Sequence, residues 1–325
     1  MLEKKPVLFQ HVVDSLLDPQ DFPRGYLRYF SDIDPVSLKL LLDAWPGVSP
    51  ERKRTLLEQL EQIAEEDTLV SFEDLARALL DDPDAAIRMR AIRLLLESSD
   101  PKLVPSYIEI LRTDESEITR AEAATALGEY IMLGELEEIP GDKHALAEDA
   151  LLQVVGGEDV PAVRRRALES LGYSSRPEVA TLIDSAFKRQ DPDWKASALF
   201  AMGRSSDDRW QDPVLQMILS DNPIIRLAAV RAAGELSLGL ARSLLITLLD
   251  DEDEDEVISA AIWSLSQIGG EDARTLLESL AAEAEDDDVI AYLEDALENL
   301  AFTEDLERFD LLSFDPEDFD DREEE

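Results

Sequence analysis

The chain has 325 residues, with 31 basic and 74 acidic side chains giving a net charge of −43, and it contains no cysteine. The missing thiols exclude disulfides, thiolate catalysis and cysteine-based metal sites. The charge disfavours nucleic acid and anionic membrane faces, because both are held largely through Lys and Arg.

Residues 6–18 fit one short amphipathic helix between Pro6 and Pro19, followed by a loop holding Pro19, Pro23 and Gly25. We read residues 1–30 as an N-terminal helix-and-loop cap. The opening Met1-Leu2-Glu3-Lys4-Lys5-Pro6 leads into an apolar stretch broken by His11 and Asp14. That pattern is unlike a signal peptide or a membrane span, so a cytoplasmic protein is the expectation. Residues 35–45 and 50–65 then predict a helical hairpin. Asp34-Pro35 opens its first helix, Pro46-Gly47 breaks it, and Ser49-Pro50-Glu51 starts the second.

From about residue 70 a pattern returns: an apolar anchor, usually Arg or Lys next, a small residue at +4, an apolar residue at +8 and often Gly at +9. The anchors are Ile87, Thr119, Val163, Trp194, Ile225, Val257 and, more weakly, Val289, at intervals of 32, 44, 31, 31, 32 and 32 residues. A period of this length marks one supersecondary unit stacked many times. Each unit reads as a first helix, a tight acidic turn and a second helix. Asp or Asn in the turn can accept unpaired N–H groups of the second helix, and Pro suits its first turn. The long interval points to an insertion near 132–143, expected as a loop. Hydrophobic residues make up 45% of the chain and aromatics only 6%, as closely packed short helices require.

After Leu300 the character changes: residues 302–325 carry 12 acids and 2 bases, with Phe309, Phe314 and Phe319 at five-residue spacing. Charge of that density argues for an acidic, disordered tail.

Paired helices, an Asp-Pro-Asp turn such as Asp82-Pro83-Asp84, and runs such as Val163-Arg164, Ala167, Leu171-Gly172 resemble HEAT repeats. The subtype is similar to a bacterial one also found in phycobilisome lyases. The resemblance is strong over 70–300 and looser over 31–66. It implies an all-α, right-handed superhelical (armadillo-like) α-solenoid of about eight helical hairpins over residues 31–301. It further implies that second helices line the concave side, and that turn Asp and following Arg residues form an internal polar ladder. On function the family is nearly silent, since it spans scaffolds, lyases, glycosylases and hydroxylases.

A helical wheel supports the ladder independently. At about 100° per residue, offsets 0, +4, +5 and +8 cluster on one face, and offset +1 falls on the same buried side. Arg88, Arg120, Arg164, Lys195 and Arg226 occupy it. A buried cation needs a partner, and the nearby Asp84, Asp193 and Asp221 are the natural ones. Offset +6 lies at about 240°, opposite the buried centre, and should face solvent. It reads Arg93, Thr125, Glu169, Phe200, Arg231 and Trp263. Phe200 and Trp263, with Arg231 between them, break the polar rule with residue types that dominate binding energy at interfaces.

No catalytic, cofactor or metal constellation emerges. The two histidines, His11 and His144, lack the adjacent Glu of hydroxylase-type iron sites. The run Asp250–Glu256 lacks the alternation and mid-loop Gly of a calcium loop. The expectation is therefore a non-enzymatic scaffold that binds a protein or peptide on its concave face at Phe200, Arg231 and Trp263. Phe309, Phe314 and Phe319 would dock either back onto that row or onto a separate protein. The net charge serves solubility and also suits a basic partner. Two alternatives stay open: a lyase-like or enzyme-accessory module holding a bulky apolar ligand, and an acidic chaperone or assembly factor for a basic protein.

Overall fold

The computed structural model describes residues 8–18, 20 and 22–308, with side chains as far as 304. Every regular element among them is helical. The helices are α1 (Phe9–Leu17), α2 (Pro35–Ala44), α3 (Pro50–Glu66), α4 (Glu73–Leu79), α5 (Ala85–Arg93), α6 (Leu103–Thr113), α7 (Glu117–Glu135), α8 (Gly141–Gly156) and α9 (Pro161–Leu171). They continue as α10 (Pro177–Phe187), α11 (Pro192–Arg204), α12 (Gln211–Met217), α13 (Pro223–Glu235), α14 (Arg242–Asp251), α15 (Asp255–Ile268), α16 (Glu271–Glu283) and α17 (Asp287–Arg308). Two compact units divide them, Met1–Ser174 and Ser175–Glu325. The first holds the pairs α2/α3, α4/α5, α6/α7 and α8/α9; the second holds α10/α11, α12/α13, α14/α15 and α16/α17. Within each unit, second helices pack chiefly on second helices: α3, α5, α7 and α9 in one, α11, α13, α15 and α17 in the other. The fold is an all-α solenoid of helical hairpins.

The turns start the helices as their chemistry dictates. Asp34, Ser49, Asp84, Ser116, Asp191 and Asn222 accept N–H bonds from the first turns of α2, α3, α5, α7, α11 and α13. Proline occupies an early position of α2, α3, α9, α10, α11 and α13, where its missing N–H goes unneeded. The repeat anchors Ile87, Thr119, Val163, Trp194, Ile225 and Val257 are all buried. Val289 is not: it is 48% exposed, and Leu293, Ala296 and Leu300 carry the buried stripe of α17 instead.

The Gly at +9 has a packing reason. A Cβ on Gly128 would lie 3.3 Å from Ser170 Cα, one on Gly203 3.0 Å from Ala232 Cα, and one on Gly234 2.9 Å from Ser264 Cα. In each case the glycine of one second helix meets the +7 residue of the next, which is Ser or Ala. Small residues on both sides let the backbones approach this closely.

The arginine ladder exists, but in a different register from the expected one. Arg88 forks onto Asp114, with Nε and Nη2 each 2.7 Å from a carboxylate oxygen, while Nη1 donates to the Asp82 carbonyl at 2.7 Å. Arg120 repeats this with Asp159 (2.8 and 2.6 Å) and the Asp114 carbonyl (2.8 Å). Arg226 does so with Glu252 (2.5 and 2.9 Å) and the Ser220 carbonyl (2.7 Å). The guanidinium thus reaches forward to the next repeat's turn acid and ties its own turn only through a carbonyl. Asp84, expected beside Arg88, caps α5 and pairs with Arg54 of the preceding pair at 2.8 Å. Asp221 acts on Arg226 only through its charge, as a lesser influence than Glu252. Asp193 lies in the first turn of α11, capped by Asp191. Arg164 spends Nε and Nη2 on the Val155 carbonyl, and Lys195 lays its ammonium 5.6 Å from the Phe187 ring centre.

Two boundaries also differ. The insertion near 132–143 is mostly helix, because α7 runs on to Glu135 and α8 begins at Gly141, leaving only a short connection. The break expected after 301 falls inside α17, whose helix continues to Arg308. Phe309, Phe314 and Phe319 lie outside the described residues.

Candidate functional site

In the second unit, four successive second helices contribute to one cleft of about 310 Å³. Phe200 comes from α11, Arg231 and Glu235 from α13, Ser259, Ala260 and Trp263 from α15, and Tyr292 from α17. Phe200, Arg231 and Trp263 of the offset row are therefore brought together. Phe200 and Trp263 are half-buried rather than solvent-facing, and Glu169 at the same offset is buried. The wheel treats a helix as isolated, whereas here each second helix is flanked by the next.

The aromatic lining groups are held by their neighbours. The Trp263 ring lies over Gly234, where a Cβ would stand 2.6 Å from Cζ3. Its carbonyl accepts from Ser266 Oγ at 2.7 Å. Phe200 is covered by Arg204, whose guanidinium carbon sits 4.2 Å from the ring centre, in cation–π range. Tyr292 Oη donates to the Ser259 carbonyl at 2.7 Å, and desolvation pushes its pKa up, against the pull of Arg231. The Glu235 side chain keeps solvent access by area, yet its carboxylate is crowded above Gly203. Desolvation therefore raises its pKa, with Arg204 and Arg231 opposing.

Arg231 differs from Arg93, the other arginine at this offset. Arg93 forks onto Glu122. Arg231 is exposed and makes no hydrogen bond or ion pair with any described residue. Its charge acts on Glu235 and Tyr292 in the same cleft, but its donors are left open among the aromatic rings. Such a fork suits a carboxylate or another planar anion. Larger depressions lie in the first unit, of 750 and 620 Å³. The first holds Arg52, engaged with the Asp18 and Gln20 carbonyls, and an exposed Arg24 that bonds to no described residue but has only Phe22 as an aromatic lining neighbour; in the second, Arg93 is engaged with Glu122.

Glu235, Ser259, Ala260 and Tyr292 also line the cleft, although none of them sits at offset +6. They sit at offsets +2, +3 and +10, which with +6 all fall between about 200° and 300° on the wheel. Taking the whole sector instead of its midpoint would have found them.

A second cluster lies in the first unit. His144 Nε2 stands 3.7 Å from oxygens of both Glu135 and Glu148, and one ligand atom from each residue lies within 4.8 Å of the others. Gly134 leaves room for the imidazole, and Ser174 Oγ donates to Glu148. These residues could offer ligands to a metal ion, although no metal site was expected. Neither Glu is adjacent to His144 in sequence: Glu148 lies four residues along α8, and the short α7–α8 connection brings Glu135 back.

No described helix is long and apolar enough to cross a membrane. A family model for HEAT repeats matches residues 38–128, 72–172, 108–202 and 212–298. No curated protein matches the chain. Among solved structures, Escherichia coli YibA is similar at 14% identity and TM-score 0.39, covering 92% of this chain and 99% of that one. The CpcE–CpcF phycocyanin lyase complex of Nostoc sp. PCC7120 is similar at 19% identity and TM-score 0.47, covering 70% and 94%. Importin beta is similar at 12% identity and TM-score 0.44, covering 94% and 45%.

Proposed function

The chain belongs to the HEAT-repeat family, and from that premise we propose that it is a non-enzymatic protein-interaction scaffold whose partner enters the cleft of Phe200, Arg231, Trp263 and Tyr292. The observation that carries this reading is the uncommitted Arg231 between half-buried rings. The rings offer area for one apolar or aromatic side chain, and the guanidinium offers a bidentate site for a neighbouring carboxylate. At about 310 Å³ the cleft is at the low end of small-molecule pockets. It suits one inserted side chain better than a bulky ligand. The acidic remainder of the surface favours basic residues in the partner's flanks and would speed their encounter.

Selection from a random peptide library on the intact protein tests the reading. The expected outcome is enrichment of an aromatic or large apolar residue beside Asp or Glu, lost on Arg231→Ala. Peptides that bind Arg231→Ala and Trp263→Ala as well as the native chain would sink it.

A further inference from the structure

The cleft asks for a ring followed by a carboxylate, and the end of the chain supplies that pair three times: Phe309-Asp310, Phe314-Asp315 and Phe319-Asp320. We propose that Phe319-Asp320 of the same chain occupies the cleft, with the Phe319 ring between Phe200, Trp263 and Tyr292 and the Asp320 carboxylate on Arg231. This rests on the reading that the cleft is a docking site, and adds that the protein carries its own competitor for it.

Reach decides which pair can serve. Tyr292 and the end of α17 at Arg308 lie on one helix, about 24 Å apart at about 1.5 Å per residue. The chain must double back at least that far, at about 3.3 Å per extended residue. Phe309 follows Arg308 directly and cannot return. Phe314 gains about 20 Å and falls short. Phe319 gains about 36 Å, enough to reach Tyr292 and cross toward α13. A tether of this length also gives an effective concentration near the millimolar range, so a weak contact suffices.

Charge argues for an anchored contact over a general one. Residues 309–325 hold nine acids and one arginine on a chain of net charge −43, so most of the surface repels them. In the cleft the guanidiniums of Arg231 and Arg204 both act on the one carboxylate of Glu235 and outnumber it, so the repulsion reverses there.

The chain has no cysteine, which makes cross-linking unambiguous. Under mild oxidation, Ser259→Cys with Asp321→Cys should close an intramolecular disulfide at least tenfold faster than the same pair carrying Phe319→Ala or Arg231→Ala. Equal rates with and without those substitutions, or a covalent dimer in place of the monomer, would overturn the proposal. A library-selected peptide should also bind the full chain about tenfold more tightly when it carries Phe319→Ala and Asp320→Ala. Equal affinity overturns the cis contact and leaves the docking reading standing. If the library yields no cleft-binding peptide, the docking reading itself fails, whatever the cross-link shows.

Discussion

Gly234 in α13 lies directly beneath the indole of Trp263 in α15, so closely that a Cβ at 234 would stand 2.6 Å from Cζ3 and 2.9 Å from Ser264 Cα. The glycine sets the helix spacing and also the height at which the indole enters the cleft. Gly234→Ala gains up to about 1 kcal/mol of helix propensity but overpacks a backbone contact at about 1–3 kcal/mol. The net expectation is a loss of about 1 kcal/mol, read as a lower Tm, with a shift in tryptophan emission. Gly156→Ala has nothing within 4 Å of the added methyl and should leave Tm unchanged or slightly raised.

The ladder predicts a gain as well as losses. Arg88 to Asp114 and Arg226 to Glu252 are both 26 residues apart, and Lys195 to Asp221 has the same spacing. Lysine cannot form the fork. Lys195→Arg should reach Asp221 and raise stability by about 0.5–1.5 kcal/mol. Arg226→Met, which leaves Glu252 without its partner, should cost roughly 2–4 kcal/mol in denaturant unfolding.

Acidification should act on the ladder first. The Arg226 fork holds Glu252 below its ordinary pKa, and the Arg120 fork does the same for Asp159. A carboxylate depressed in the folded state contributes stability that is complete above its unfolded pKa of about 4. That stability is lost as pH falls through the folded value. Thermal unfolding from pH 6 to pH 2 should show this loss, and Glu252→Gln should be less stable at pH 6 with a flatter slope.

Glu235 should show the opposite sign. Desolvation raises its pKa, so its ionised form costs stability at neutral pH, and that cost disappears as pH falls through the raised value. Glu235→Gln should therefore be neutral or stabilising at pH 7, and its advantage should vanish near pH 4.

Tyr292→Phe removes the Oη bond to the Ser259 carbonyl and keeps the ring. A loss of about 1 kcal/mol is expected. Selected-peptide affinity should fall less than on Tyr292→Ala, which removes the ring itself.

The sequence by itself determined the solenoid, because a 31–32-residue beat of small and apolar residues can bury itself only by stacking. It also identified the arginine position, which the structure leaves half-buried, and the Phe200–Arg231–Trp263 row, since both follow from helical periodicity within one helix. Tertiary structure decided whatever depends on the neighbouring helix. It chose Asp114 over Asp84 as the partner of Arg88, because a side chain at +1 points toward the next turn. It added Glu235 and Tyr292 to the cleft and half-buried its aromatics, because stacked helices cover one another's flanks. It brought Glu135 and Glu148 to His144, because the inserted residues lengthened two helices instead of looping out. Periodicity fixes the face a residue occupies, and only packing fixes what it meets there.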